Sequence, residues 1–192
     1  MITATELERL RASCGCGVDL EPAVAEYLEG RASWAWDRAD LFGDESANEG
    51  AQAIAANQSG SPAPRPRWTL DSLAAALELR LVDESLPGLI VGAYVRAQGL
   101  ILVESSLREA ERSPVVSHEC SHATLHAHAP HDEVSYLALC YLFPGRLLRA
   151  LPERRRTVSA RWLASAVPYR TPAWAAEYRA PLLQRLLDAG RF

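Results

Sequence analysis

No stretch of this chain is apolar for long enough to cross a bilayer; the longest nearly unbroken run, Val134 to Phe143, is about half of what a span requires. The N-terminus, with Glu6 and Glu8, lacks both the basic flank and the apolar core of a secretory signal. Cysteine is sparse. Cys14, Cys16, Cys120 and Cys140 are too few and too irregularly placed for a disulfide framework, which favours a reducing compartment. Lysine is missing altogether, so every basic side chain other than histidine is an arginine, and no internal repeat is evident. These absences argue against a membrane protein and against a disulfide-stapled secreted domain. The expectation is a soluble, cytoplasmic protein.

What is present is enough for a core. With 192 residues, 48% hydrophobic and 23% charged, the chain can fold as one unit plus an appendage. Its net charge of -4 is unevenly spread: residues 1–60 carry eleven acids against four arginines, whereas residues 145–192 carry three acids against ten. The basic end suits a solvated face, a face complementary to the acidic start of the same chain, or a surface for nucleic acid or an acidic partner.

Composition divides the chain into four parts. Residues 1–47 read as an N-terminal helical segment, with short helices at Glu6 to Ala12 and Pro22 to Leu28, then Trp34 and Trp36, for which packing is the favoured role. Residues 48–67, rich in Ala, Ser, Gly and Pro, read as a flexible linker. Residues 68–151 hold the sharpest patterns and residues 152–192 a C-terminal helical region. From Trp68 to Arg80 apolar residues recur near helical spacing, with Asp71 in the first turn. Short β-rich runs follow at Leu81 to Asp83, Leu89 to Val95 and Leu100 to Val103, separated by turn signals, which predicts a small antiparallel sheet. Ser106 to Glu111 reads as helical. Ser113 then predicts an N-cap, with Pro114 at the first position of the next helix. Further helices are expected from about Pro130 to Leu142, from Arg146 to Leu151, around Val158 to Ala166 and over Pro172 to Leu187. The fold class is therefore α+β, mostly helical.

The helix after Pro114 carries His118-Glu119-Cys120-Ser121-His122, an HExxH pattern. Side chains four apart share a helical face, so His118 and His122 can present ring nitrogens to one ion with Glu119 beside them. A catalytic zinc takes three protein ligands and leaves a fourth position open. The third is expected from the next helix, packed against the first, and the chain offers His126, His128, His131, Asp132 and Glu133. Cys120, two positions from each histidine, is expected to point away from the ion and pack as a small apolar residue. Tyr94, Tyr136 and Tyr141 are potential donors to an oxyanion, although core packing is the favoured role of each. Cys14-Gly15-Cys16 is too short and isolated for a zinc knuckle.

His118 to His126, HECSHATLH, resembles the HELGHxLLH segment of the ImmA/IrrE family of metallo-endopeptidases, and Glu133 to Pro144 resembles the helix that follows it there. Leu86-Pro87-Gly88, Gly92-Ala93-Tyr94 and Leu100 to Val103 fall where that family has strand, turn and strand. The likeness runs from Trp68 to Pro144; Ser113-Pro114 stands where the family has Arg-Phe. It implies a zincin-like domain, Zn2+ held by His118, His122 and Glu133, with His131 or Asp132 as alternatives for the third place, and Glu119 as general base. His126 matches a family position outside the ligand set, which implies packing or a hydrogen bond at the site. The implied substrate is a DNA-binding repressor encoded nearby, cut in a stress response or in the regulation of a mobile element. Nothing in residues 1–67 reads as a helix-turn-helix. The substrate strand is expected along an exposed sheet edge at Leu100 to Val103. A different reading keeps the fold without turnover: a zinc-stabilised interaction module whose Arg154-Arg155-Arg156, Arg161, Arg170 and Arg179 engage DNA or an antitoxin-like partner.

Overall fold

The computed structural model describes residues 2–3, 20–42, 69–151 and 157–190. The expected helix at Glu6 to Ala12, the Cys14-Gly15-Cys16 motif, the linker at 48–67 and the Arg154-Arg155-Arg156 cluster lie outside the described residues.

Strands β3 (Ile90–Val95) and β4 (Leu100–Glu104) form an antiparallel hairpin in which Gly92 faces Val103 and Val95 faces Leu100. One 3-10 turn at Arg96–Gln98 closes it, and Gly99 leaves that turn in the left-handed conformation, φ 57°. Glycine suits the position twice over: it tolerates positive φ, and a Cβ there would sit 3.3 Å from the backbone oxygen of Glu78. Strand β2 (Arg80–Glu84) lies on the other side of β4 and parallel to it, from Arg80 opposite Leu100 to Glu84 opposite Glu104. The two-residue β1 (Ile2–Thr3) pairs antiparallel with β3, giving the order β1-β3-β4-β2.

The sheet is thus mixed, and the expected all-antiparallel arrangement is corrected at β2. The connection 85–89 passes over the end of β4 to reach β3, two strand spacings away. Five residues span up to about 17 Å and two spacings need only about 10 Å. The Glu104 carboxylate, at that end of β4, accepts hydrogen bonds from the backbone N–H of Leu86 (2.7 Å) and of Ser106 (2.9 Å), tying the crossing loop down. Apolar side chains on both faces of Leu100-Ile101-Leu102-Val103 explain the central place of β4. This strand is paired on both sides, so the exposed edge expected at Leu100 to Val103 does not exist.

Six α-helices complete the described structure: α1 (Pro22–Phe42), α2 (Leu70–Ala76), α3 (Glu109–Thr124), α4 (His131–Leu142), α5 (Ala160–Ala166) and α6 (Ala173–Asp188), with a 3-10 segment at Gly145–Ala150. Helix α3 packs against β3 and β4 on one side and α4 on the other; α1 and α6 pack on α4. One apolar core runs from Leu28 to Leu183. The N-terminal helix α1, longer than the expected Pro22 to Leu28, supplies Leu28, Ala32, Ala35, Trp36 and Ala39 to this core, a stripe at helical spacing. Trp36 is fully buried, while Trp34 on another face stays half exposed between the guanidinium groups of Arg31 and Arg38. Among the described residues, no helix is long and apolar enough to cross a membrane.

Candidate metal centre

Helix α3 starts earlier than its sequence signals imply. Glu111 accepts hydrogen bonds from the Arg108 backbone and guanidinium at the first turn, and Pro114 falls inside the helix rather than at its start. Pro114 cannot donate the bond that the Ala110 carbonyl would accept in a regular helix. Ser113 is not an N-cap; its hydroxyl donates to the Glu109 oxygen (3.1 Å) and the Arg170 oxygen (2.6 Å), bonds in which its single proton is shared. From Ser113 to Ser121 every residue is buried. A helix with sheet on one side and helix on the other must hide its polar groups, and it does so internally: Ser117 donates to Pro114 O (3.0 Å), Ser121 to Ser117 O (2.8 Å) and Thr124 to Cys120 O (2.7 Å).

Two arginines meet the other end of the helix. Arg31 on α1 donates to the Thr124 carbonyl (2.8 Å), and Arg96, at the hairpin turn, reaches the carbonyls of His122 (3.3 Å) and Leu125 (3.4 Å). Cations at a helix C-terminus satisfy orphan carbonyls and oppose the negative end of its dipole. They also fix the backbone that carries His122.

Within this frame the Nε2 atoms of His118 and His122 lie 3.1 Å apart, with the rings edge to face. Two imidazoles sharing a tetrahedral zinc at ~2.0–2.1 Å place their nitrogens about 3.3 Å apart, so the pair fits that ion; an N–H···N hydrogen bond between neutral rings has a similar separation. His118 is 2% exposed and Glu119 wholly buried. Burial, with His122 and His131 adding to it, holds the His118 imidazole well below its usual pKa, in the neutral form that can donate a lone pair. The donor chemistry and the paired nitrogens fit zinc. Among the described residues, however, no set of three or more His, Cys, Asp or Glu donors is gathered closely enough to hold an ion.

The His131 ring centre, at the first residue of α4, lies 5.4 Å from that of His118. Glu133 is two residues further on, about 200° around the helix from His131, and half buried. Asp132 is exposed. His126 and His128 are exposed in the connection between α3 and α4, so the packing expected for His126 is not found. Cys120 is buried and inert, its thiol pushed up by burial. The tyrosines have structural partners: Tyr141 is buried against Thr124 Oγ1 (2.8 Å), Tyr136 donates to Glu29 (3.0 Å), and Tyr94 lies beneath the Arg96 guanidinium. Arg179, expected in a basic binding surface, is fully buried against Glu29. Sequence reasoning did not find the arginine caps or the Ser113 bridge, because each joins residues far apart in the chain. No protein-family model, curated protein or solved structure matches the chain.

Proposed function

We propose that this chain is a zinc-dependent endopeptidase with a zincin-like site, as its resemblance to ImmA/IrrE proteins implies. The observation that carries the reading is the 3.1 Å approach of His118 Nε2 to His122 Nε2 on a buried helix that also bears Glu119. When bound there, zinc supplies Lewis acidity, polarising a carbonyl oxygen and bringing the pKa of a water towards ~7. His118 and His122 would hold the ion through neutral nitrogens, and a residue near the start of α4 would have to supply the third donor. Glu119 removes a proton from the attacking water as its oxygen joins the scissile carbonyl carbon. The same carboxyl delivers that proton to the nitrogen as the C–N bond breaks, leaving a carboxylic acid and an amine. Packing on both sides of α3 excludes bulk solvent from Glu119, which strengthens its electrostatic interactions with the site. The substrate class, a DNA-binding repressor encoded nearby, follows from the resemblance.

The test uses the purified full chain. Wild type is expected to carry stoichiometric zinc and to cleave the repressor encoded beside it. Glu119→Gln should keep the zinc and lose about 100-fold or more in turnover, the usual scale for a general base. Absence of zinc under non-chelating conditions, or undiminished cleavage by Glu119→Gln, rejects the enzyme. A non-catalytic interaction module is the second reading, because among the described residues no group of three donors is gathered at the pair. Salt-sensitive DNA binding without proteolysis would support that module.

A further inference from the structure

We infer that β2 is a self-association edge: two copies of this chain pair antiparallel through Arg80–Glu84, about a twofold axis at Val82, and so join their sheets into one. The inference is independent of the zinc reading.

Strand β2 ends the order β1-β3-β4-β2, so among the described residues no strand covers its outer edge. On its inner side the Arg80 N–H donates to the Gly99 carbonyl (2.9 Å), and the Glu84 carbonyl accepts from the Ser105 N–H (3.0 Å). Alternate residues of a strand turn both backbone groups to one side, so Arg80, Val82 and Glu84 serve β4 while Leu81 and Asp83 present theirs outward. Antiparallel strands join through such outward residues, each exchanging two hydrogen bonds with the one opposite. Setting Leu81 opposite Asp83 of the second copy satisfies all of these groups, because the twofold axis repeats the pair.

Charge selects this register over its neighbours. It places Arg80 opposite Glu84 of the second copy at both ends, with the two Val82 residues facing each other in the middle. A slip of two residues one way sets Asp83 against Asp83, and a slip the other way sets Glu84 against Glu78. Opposite charges attract across such a pair and like charges repel. The side chains are turned to suit: Asp83 accepts from Arg112 Nε on α3 (3.0 Å) and Leu81 packs on the core, so Arg80, Val82 and Glu84 share the other face.

Arg80 and Glu84 are both exposed, and they lie roughly 13 Å apart along the strand, too far to pair with each other. Among the described residues neither has an ion-pair partner. Glu84 instead stands in register with Glu104 of β4, two carboxylates side by side, and a second copy brings the arginine that this pair lacks. Val82 and its neighbour Leu102 are half buried, which gives the joint an apolar centre. Two five-residue edges bury less than the roughly 1,600 Å² of a standard interface, so a dissociation constant on the order of 10–100 µM is expected.

Sedimentation equilibrium of the full chain, from well below to well above that range, should show a monomer–dimer equilibrium. Arg80→Glu and Glu84→Arg each put like charges at both ends and should weaken the dimer by about 10-fold or more. An equimolar mixture of the two variants restores opposite charges in the heterodimer, as does the double variant with itself, and both should return to within about 3-fold of wild type. Equal unfolding temperatures of the dilute proteins separate loss of pairing from loss of folding. Oxidised Val82→Cys should give an 82–82 disulfide in peptide maps, since facing residues at such a position have Cα atoms about 4.5 Å apart, within disulfide reach. A wild type that stays monomeric throughout, or a dimer that both single charge reversals leave unchanged, overturns the inference.

Discussion

Arg179 on α6 grips Glu29 on α1, 150 residues earlier, through two parallel hydrogen bonds of 2.6 and 2.7 Å, while its Nε donates to the Phe143 carbonyl at 3.0 Å. The guanidinium is fully buried and the carboxylate nearly so. Tyr136 adds a bond to the same carboxylate at 3.0 Å, so α1, α4 and α6 meet at one ionic knot. A fully buried guanidinium needs this many acceptors to offset the loss of water. The pair closes the three helices behind α3 without touching the candidate site.

Removing one partner should therefore be costly. Glu29→Gln leaves a buried cation without its counter-ion, and a loss of about 3–5 kcal/mol is expected from urea unfolding. Replacing both residues, as in Glu29→Leu with Arg179→Met, should cost less than either single change, because nothing charged is left unpaired. A double variant no better than the singles would mean that the knot acts through shape rather than charge.

The same pair sets an acid limit. Burial works to raise the Glu29 pKa, but the Arg179 charge and the hydrogen bonds from Arg179 and Tyr136 outweigh it, and the net shift is below the usual 4.5. A carboxyl whose folded pKa is depressed contributes stability above its unfolded pKa and loses it as pH falls through the folded value. Wild type should therefore lose stability as pH drops below about 4.5, and Glu29→Gln should show a shallower acid limb. Parallel slopes in the two proteins over that window would refute the assignment.

Much of this was legible from local pattern. Helices α4, α5 and α6 fall within two residues of their expected bounds, since each combines an apolar stripe with a proline or serine at its start and a clear stop. The HExxH pair was legible for the same reason: four residues on one helix fix a face. Failures came where distant partners decide. Ser113-Pro114 looks like a helix start, yet α3 begins at Glu109, because the helix lies between sheet and α4 and Ser113 finds its acceptor at Arg170. The stripe on α1 was masked by Glu26, Glu29, Arg31 and Arg38 among its apolar residues, and Glu29 is inside only because Arg179 is there to meet it. Strand partners were the least readable. Only the hairpin has a local signal, while the parallel partnership of β2 and β4 depends on which strand is apolar on both faces.

The two described thiols should be chemically silent. Cys120 and Cys140 are both fully buried, and burial raises the pKa of each, so little thiolate is present at neutral pH. Peptide mapping after brief treatment of the native protein with a maleimide is expected to find both unmodified, with full labelling after denaturation. Rapid native labelling of Cys120 would place it at an open surface and contradict the packing of α3.

The hairpin turn offers a graded test of the scaffold under His122. Gly88 and Gly99 both adopt positive φ, at 67° and 57°, but a Cβ at Gly88 would meet nothing within 4 Å, whereas one at Gly99 would meet the Glu78 backbone oxygen at 3.3 Å. Alanine in the left-handed region costs roughly 1–2 kcal/mol on its own. Gly88→Ala should show only that penalty, and Gly99→Ala should exceed it, because β2 must shift: the Arg80 N–H bonds to the Gly99 carbonyl at 2.9 Å beside the crowded oxygen. Arg96, three residues before Gly99, holds the His122 and Leu125 carbonyls, so displacement of the turn should also loosen the end of α3. Urea denaturation gives the difference in stability, and hydrogen exchange at residues 122–125 reports the loosening. Equal destabilisation by the two alanines, with unchanged exchange at those amides, would show that the turn does not brace the helix.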